Sequence, residues 1–236
     1  MRSGAVKTLG AALLVGVAAA GCAAPATIAA PDLASWREAR RELAALRDHW
    51  APAVSKTLEV SLDFGFAGRH LAARGAVAVG EDALRMILLG PGGATALDLW
   101  ICGDRFRYEV PALDQTRRGR VGEEGPGLPV AFLRRWFLGR LEGRLLSYAD
   151  DPEGRRYVLR DGDDVAHLWG DERRLRARRG DDLIEATGAG CGEVRYRHLA
   201  TDLAVDVVCE RVGANPPPAR AFADPDDPTR SCGGAT

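Results

Sequence analysis

The sequence predicts an α+β domain whose long antiparallel sheet curves into an unclosed β-barrel covered by helices. Three observations carry this prediction. Short runs of alternating apolar and polar residues fill residues 58–110 and recur over 145–208. The links between the early runs are short and Gly-rich, which suits a meander rather than crossovers. Two aromatic helical stripes stand before and between the runs, without βαβ alternation. A long antiparallel sheet must protect its edges and its apolar face. Curling the sheet and laying helices over the opening does both.

The elements follow in order. Asp32 can cap a helix in which Leu33, Trp36, Leu43, Leu46 and Trp50 share one face, and Pro52 ends it. Leu58, Val60, Leu62, Phe64 and Phe66 alternate with Glu59, Ser61, Asp63 and Gly65 in a first strand. Residues 70–79 form a second. Leu84, Met86 and Leu88 share a face in a third, and Leu97, Leu99 and Ile101 in a fourth. Phe106, Tyr108 and Val110 alternate with Arg105, Arg107 and Glu109 in a fifth. Residues 119–127 read as a polar, Gly-rich break. Beyond it Pro129 opens a helix whose stripe is Phe132, Leu133, Trp136, Phe137 and Leu141, with Arg134, Arg135 and Leu138 off that face. Short strands are then expected around 145–148, 157–160, 165–169, 175–178, 183–187, 194–198 and 203–208. Residues 214–236 hold five prolines and an acidic patch, Pro216, Pro217, Pro218, Pro225 and Pro228 among them, and read as a poorly packed tail pinned by Cys232.

The N-terminal end carries a targeting signal. Arg2 and Lys7 flank an uncharged apolar run over residues 8–21, and Ala18, Ala19, Ala20 and Gly21 lead into Cys22. Small residues before the cut and a thiol just after it are what lipoprotein processing needs. The run is too short for a membrane span of about 20 residues. Residues 1–21 are therefore expected to be a lipoprotein signal peptide, with a lipidated Cys22 starting the mature chain. The Ala/Pro-rich residues 22–31 are expected to be a flexible tether, residues 32–213 the domain, and residues 214–236 the tail.

Composition narrows the function. Thirty-two Lys and Arg against 33 Asp and Glu give a net charge of -1, which argues against nucleic acid as a partner. Beyond Cys22 the thiols are Cys102, Cys191, Cys209 and Cys232, an even set in an oxidising compartment. Three pairings are open; Cys191 and Cys209 flank a hairpin that turns near Ala200, which favours joining them and leaving Cys102 with Cys232. A zinc site using His198 lacks the CxxC spacing. The histidines His49, His70, His167 and His198 fall in no metal spacing, and there is no GxSxG elbow. Asp161-Gly162-Asp163-Asp164 and Gly188-Ala189-Gly190-Cys191-Gly192 read as turns rather than a calcium loop and a dinucleotide loop. Arg173, Arg174, Arg176, Arg178 and Arg179 read as a solvated strand face. No cofactor, metal or catalytic role is expected.

Two segments resemble the LolB family of outer-membrane lipoproteins. Leu88-Leu89-Gly90-Pro91-Gly92-Gly93-Ala94-Thr95-Ala96-Leu97-Asp98-Leu99 is similar to that family's third strand, loop and fourth strand. Gly127-Leu128-Pro129 followed by Leu133-Arg134-Arg135-Trp136-Phe137-Leu138-Gly139 is similar to its Pro-led helix. Both occur in family order behind the lipidation signal, and the pattern covers residues 32–150. The resemblance implies an unclosed barrel with a helical lid and an apolar cavity for acyl chains. Its walls would be Leu62, Phe64, Phe66, Met86, Leu88, Leu97, Leu99 and Phe106 from the strands, with Phe132, Leu133, Trp136 and Phe137 from the helix. It also implies a membrane-contacting transfer loop at Leu89, Pro91 and Gly92. The family carries an exposed apolar side chain where this chain has Gly92. Ala23, rather than Asp, follows Cys22, and by family analogy this favours the outer membrane.

The expectation is thus a monomeric, membrane-anchored lipoprotein facing the periplasm. It would bind acyl chains of lipoproteins or lipids and accept them from a periplasmic carrier protein. The alternative is a lipoprotein of the same fold with a filled interior, acting through a protein partner.

Overall fold

The computed structural model describes residues 32–125, 127–139 and 141–232. Cys22, the signal segment and the tether lie outside the described residues.

Helix α1 (Leu33–His49) precedes six strands: β1 (Lys56–Phe66), β2 (Arg69–Val79), β3 (Ala83–Leu89), β4 (Thr95–Cys102), β5 (Arg105–Val110) and β6 (Gln115–Arg120). Helix α2 (Val130–Phe137) follows. Seven more strands come next: β7 (Arg144–Asp151), β8 (Gly154–Asp161), β9 (Asp164–Gly170), β10 (Arg174–Arg179), β11 (Asp182–Thr187), β12 (Glu193–His198) and β13 (Ala204–Val212). All belong to one 13-stranded sheet in the order β6-β5-β4-β3-β2-β1-β13-β12-β11-β10-β9-β8-β7. The sheet is two antiparallel meanders joined where β1 pairs with β13. Its edges, β6 and β7, do not pair with each other, so the curved sheet stays unclosed.

The register explains why alternation sufficed to find most strands. Met86 faces Val77 on one side and Leu99 on the other, Leu88 faces Leu97, and Leu99 faces Tyr108. Leu62 faces Ala73 and Val207 across the two seams of β1. With a side-chain period of two, each such pairing commits every second residue to the concave face. The result is one continuous core running through both meanders and both helices.

Helix α1 starts as its sequence dictates. The Asp32 carboxylate accepts hydrogen bonds from the Ala34 and Ser35 amides at 2.8 and 3.0 Å, and from the Ser35 hydroxyl at 2.6 Å. Leu43, Leu46 and Trp50 are buried as the stripe predicts, whereas Leu33 is exposed and Ala39 takes a buried place. Leu33 is the first helical residue and precedes the turns that meet the sheet. The helix lies over the second meander. Arg47 donates to the Gly143 carbonyl at 2.6 Å and the Trp50 indole to the Asp171 carbonyl at 2.8 Å. Tyr157 of β8 donates to Glu42 at 3.2 Å, and burial first, then the Glu42 charge, push its hydroxyl up to about 12.

Three expectations are corrected. The polar break begins later than predicted, because Gln115–Arg120 is strand β6. Its sequence, Gln-Thr-Arg-Arg-Gly-Arg, has no apolar alternation, since backbone pairing with β5 and polar contacts of its arginines hold it rather than apolar burial. Arginines on such an edge discourage further strand addition. Next, Leu138 is buried although helical periodicity put it off the apolar face. Helix α2 ends at Phe137 and the chain turns at Gly139, so a 3.6-residue period no longer applies there.

The last correction concerns the C-terminal residues, which are packed rather than loose. Ala219–Phe222 form a 3₁₀ turn, and β14 (Ala223–Asp224) pairs with β15 (Asp227–Ser231). This strap lies on the convex face over β3 to β6. The outward-facing indole of Trp100 donates to the Phe222 carbonyl at 3.0 Å, and Phe222 itself is buried. Arg118 donates to Asp224 at 2.8 Å and also pairs with Asp226, which Arg107 meets at 3.1 Å. Cys102 and Cys232 form a disulfide beside it, and Cys191 and Cys209 form a second. Polar pairing and a cross-link thus hold a segment whose composition gave no apolar periodicity.

The Asp224 carboxyl, 7% exposed, sits below its ordinary value of 3.8. Burial alone would raise it, but the Asp226 amide and Arg118 together outweigh burial. A depressed carboxyl stabilises the fold above its unfolded value, and that contribution is lost as pH falls through the folded one. Acidification below about pH 4 is therefore expected to loosen the strap before the sheet. Amide exchange of residues 223–231 should accelerate there in wild type, whereas Asp224→Asn should show fast exchange already at neutral pH.

Candidate apolar cleft under the helices

Helix α2 is placed from both ends. Glu124 accepts from the Ala131 amide at 2.6 Å, which occupies an N-terminal donor of the helix. Arg134 donates to the Gly103 carbonyl, in the β4–β5 turn, at 2.8 Å. This directs Phe132 and Leu133 into the concave face. Phe132 stacks on Tyr196 of β12 with ring centroids 4.6 Å apart. The Tyr196 hydroxyl donates to Asp182 at 2.6 Å, and burial raises it well above the usual phenol range.

The C-terminal end of α2 is fixed by a backbone contact. Gly139 has φ +64°, and a Cβ there would fall 2.2 Å from Cδ of Pro52. Glycine is thus required both by handedness and by the Pro52 ring. The contact locks the end of α2 to the loop after α1, where Trp50 and Trp136 lie 6.4 Å apart.

Trp136 divides an apolar cleft. One cavity, about 60 Å³, lies between Trp136 and the concave face of the second meander, against Leu159, Ala166, Leu168, Leu175, Ala177 and Ile184. A second, also about 60 Å³, lies toward α1 against Trp50, Pro52, Ala53, Leu58 and Phe137. Arg135, Trp136, Leu141 and Leu175 border both. The space exists because small side chains meet there. Ala177 faces Leu168 on β9 and Ile184 on β11, while Ala166 faces Arg179. An engineered apolar cavity of about 150 Å³ accepts benzene; each cavity here is smaller, and Trp136 lines both.

The charges at the cleft are mostly paired. Arg179 donates to Asp161 at 2.7 Å and to Asp164 at 3.1 Å. Asp182 is engaged by Tyr196. Arg135 is half-buried and forms no hydrogen bond or ion pair with a described residue. Burial first, and then the neighbouring Arg179 charge, lower its guanidinium from the usual value.

The twelve expected wall residues take three kinds of place. Leu62, Met86, Leu88, Leu97, Leu99, Phe106, Phe132 and Leu133 are core, and Met86, Leu88 and Leu99 are 0% exposed. Phe64 and Phe66 are half-buried and pack against that core. Trp136 and Phe137 border the cleft. Of the expected transfer loop, Leu89 is 44% exposed, and Pro91–Gly93 form a short 3₁₀ turn. Gly92 has φ +83° with open space around it. This left-handed backbone disfavours the apolar side chain found there in the LolB family. The disulfides Cys191–Cys209 and Cys102–Cys232 match the expected pairing. Among the described residues no group of three or more His, Cys, Asp or Glu could hold a metal ion.

Sequence reasoning missed the cleft's far wall. Leu168, Leu175, Ala177 and Ile184 lie beyond the stretch covered by the family resemblance. The alternation of Leu175 and Ala177 with Arg174, Arg176 and Arg178 carried the signal, hidden by the density of arginines.

A LolA-superfamily protein from Nitrosomonas europaea has a similar structure, with a TM-score of 0.54 and 12% identity over 79% of this chain and 97% of that chain. The fold is LolA-like. An outer membrane lipoprotein-sorting protein domain from Vibrio parahaemolyticus gives a TM-score of 0.46 and 14% identity over 73% of this chain and 90% of its own. A DUF1329 family protein from Desulfovibrio piger gives 0.41 and 12% over 74% and 91%. No protein-family model matches the chain. No curated protein matches it either. The cleft lies between α2, the loop after α1 and the concave face of the sheet.

Proposed function

We propose that this chain is a lipoprotein, anchored through Cys22 in the outer membrane and facing the periplasm, that binds acyl chains without catalysing a reaction. The observation that carries the proposal is the cleft split by Trp136: apolar, walled in part by alanines, and bordered by α2 and the loop after α1, which meet at Gly139 and Pro52. Acyl chains are held by apolar area removed from water, at about 25 cal/mol per Å². The binding residues would be Trp136, Phe137, Leu141, Leu168, Leu175 and Ala177. Acyl chains of lipoproteins or lipids, delivered by a periplasmic carrier, are the proposed cargo. The loop with Leu89, Pro91 and Gly92 is the proposed membrane-facing end, where Leu89 rather than Gly92 supplies apolar contact.

A second function has its own support. Complete burial of Met86, Leu88 and Leu99 fills the first meander, as an interaction lipoprotein acting through a protein partner would require. The two are separated by native mass spectrometry and displacement of N-phenyl-1-naphthylamine, an uncharged probe. Acyl binding predicts co-purified lipid or saturable probe binding, weakened about tenfold or more by Ala177→Trp, which fills the cleft. A ligand-free mass with no probe binding would favour the protein-partner function.

A further inference from the structure

On the proposed acyl-binding role rests a narrower one: we infer that the cleft selects chains bearing an anionic head group, with Arg135 as the residue that binds the head.

The inference starts from an imbalance. Arg135 stands on α2 next to Trp136 and borders both cavities of the cleft. Of the acidic groups around it, Glu142 borders one of the cavities and acts on Arg47, and three aspartates are committed elsewhere. Asp161 and Asp164 both pair with Arg179, and Asp182 accepts the Tyr196 hydroxyl. A cation brought out of water without a direct counter-ion is unfavourable. A guanidinium cannot escape by losing its proton near neutral pH, so it stays charged. The arrangement is completed by an oxyanion, two of whose oxygens a guanidinium can bind through two parallel N–H donors. The aliphatic part of such a ligand would lie along Leu168, Ala177 and Ile184, directly beside the head. A neutral acyl ester would fill the same apolar surface and leave Arg135 unpaired. A carboxylate and a phosphate monoester share the required chemistry.

The test uses the chain from residue 22 onward, kept unlipidated by Cys22→Ser, with N-phenyl-1-naphthylamine bound. Palmitate, hexadecyl phosphate and methyl palmitate are compared as displacing ligands. At least one of the two anions should displace the probe at about tenfold lower concentration than methyl palmitate, and which one does so identifies the head group. Arg135→Gln should abolish that ratio while leaving the probe's own affinity within about twofold. Arg135→Lys, which keeps the charge, should restore part of it. Equal displacement by charged and neutral chains, or a preference that survives Arg135→Gln, would overturn the head-group assignment and leave acyl binding standing. Absence of probe binding in the unsubstituted chain would overturn acyl binding itself, and this inference with it.

Discussion

Replacing Cys102 and Cys232 together by serine is expected to lower the unfolding free energy by up to about 5 kcal/mol, the largest effect of any substitution proposed. The bond joins residues 130 apart in sequence, so its removal frees a very long loop in the unfolded chain. The Cys191–Cys209 bond closes a loop of only 18 residues, and its loss is expected to cost about 3 kcal/mol. Urea unfolding of the two double variants, each retaining the other disulfide, measures the difference. Equal losses would show that loop closure is not what the longer bond contributes. A small loss with rapid proteolysis of residues 219–231 would show that the strap simply detaches while the sheet persists.

Gly139→Ala is expected to cost about 3 kcal/mol. Two terms act at once: a left-handed backbone that an L side chain rarely adopts, and a collision with the Pro52 ring. Gly92→Ala is the matched control. Its φ of +83° carries the handedness term, but nothing lies within 4 Å of the added methyl. The control should lose about 1 kcal/mol, and the excess at Gly139 measures the contact between α2 and the loop after α1. Identical losses would mean that Pro52 yields freely and that the two helices are not locked together.

Much of the fold was legible because its strands are half-buried. Val60, Leu62, Met86 and Leu88 alternate with polar or exposed partners, so each of these strands declared its concave face. The hairpin between Val194 and Val207 was equally clear, and it favoured Cys191 with Cys209 among the three pairings open. What escaped has physical reasons. Strand β6 is held by backbone hydrogen bonds and by arginine pairs to distant residues, and neither leaves an apolar period in the sequence. The strap depends on Asp224, Arg118 and Trp100, residues far apart in sequence whose meeting no local period encodes. Strand registers also stayed open, since alternation gives the face of a strand but not its offset from the next. The cleft was the least legible part. It owes its space to Ala166 and Ala177, and small residues signal nothing until their neighbours across the sheet are known.

The pairing of β1 with β13 has a consequence for how the molecule is made. Every other strand contact in the large sheet joins neighbours in sequence, so either meander can zip up locally as soon as its own residues are available. The seam is different: the first strand must wait for the last before Leu62 can meet Val207. Until then two half-sheets expose apolar faces and an open strand edge each, the states from which aggregation starts. Joining the two meanders is therefore expected to be a late and slow step of folding. Substitutions at the seam should alter the rate of folding far more than those in any hairpin, even where the finished structure tolerates both.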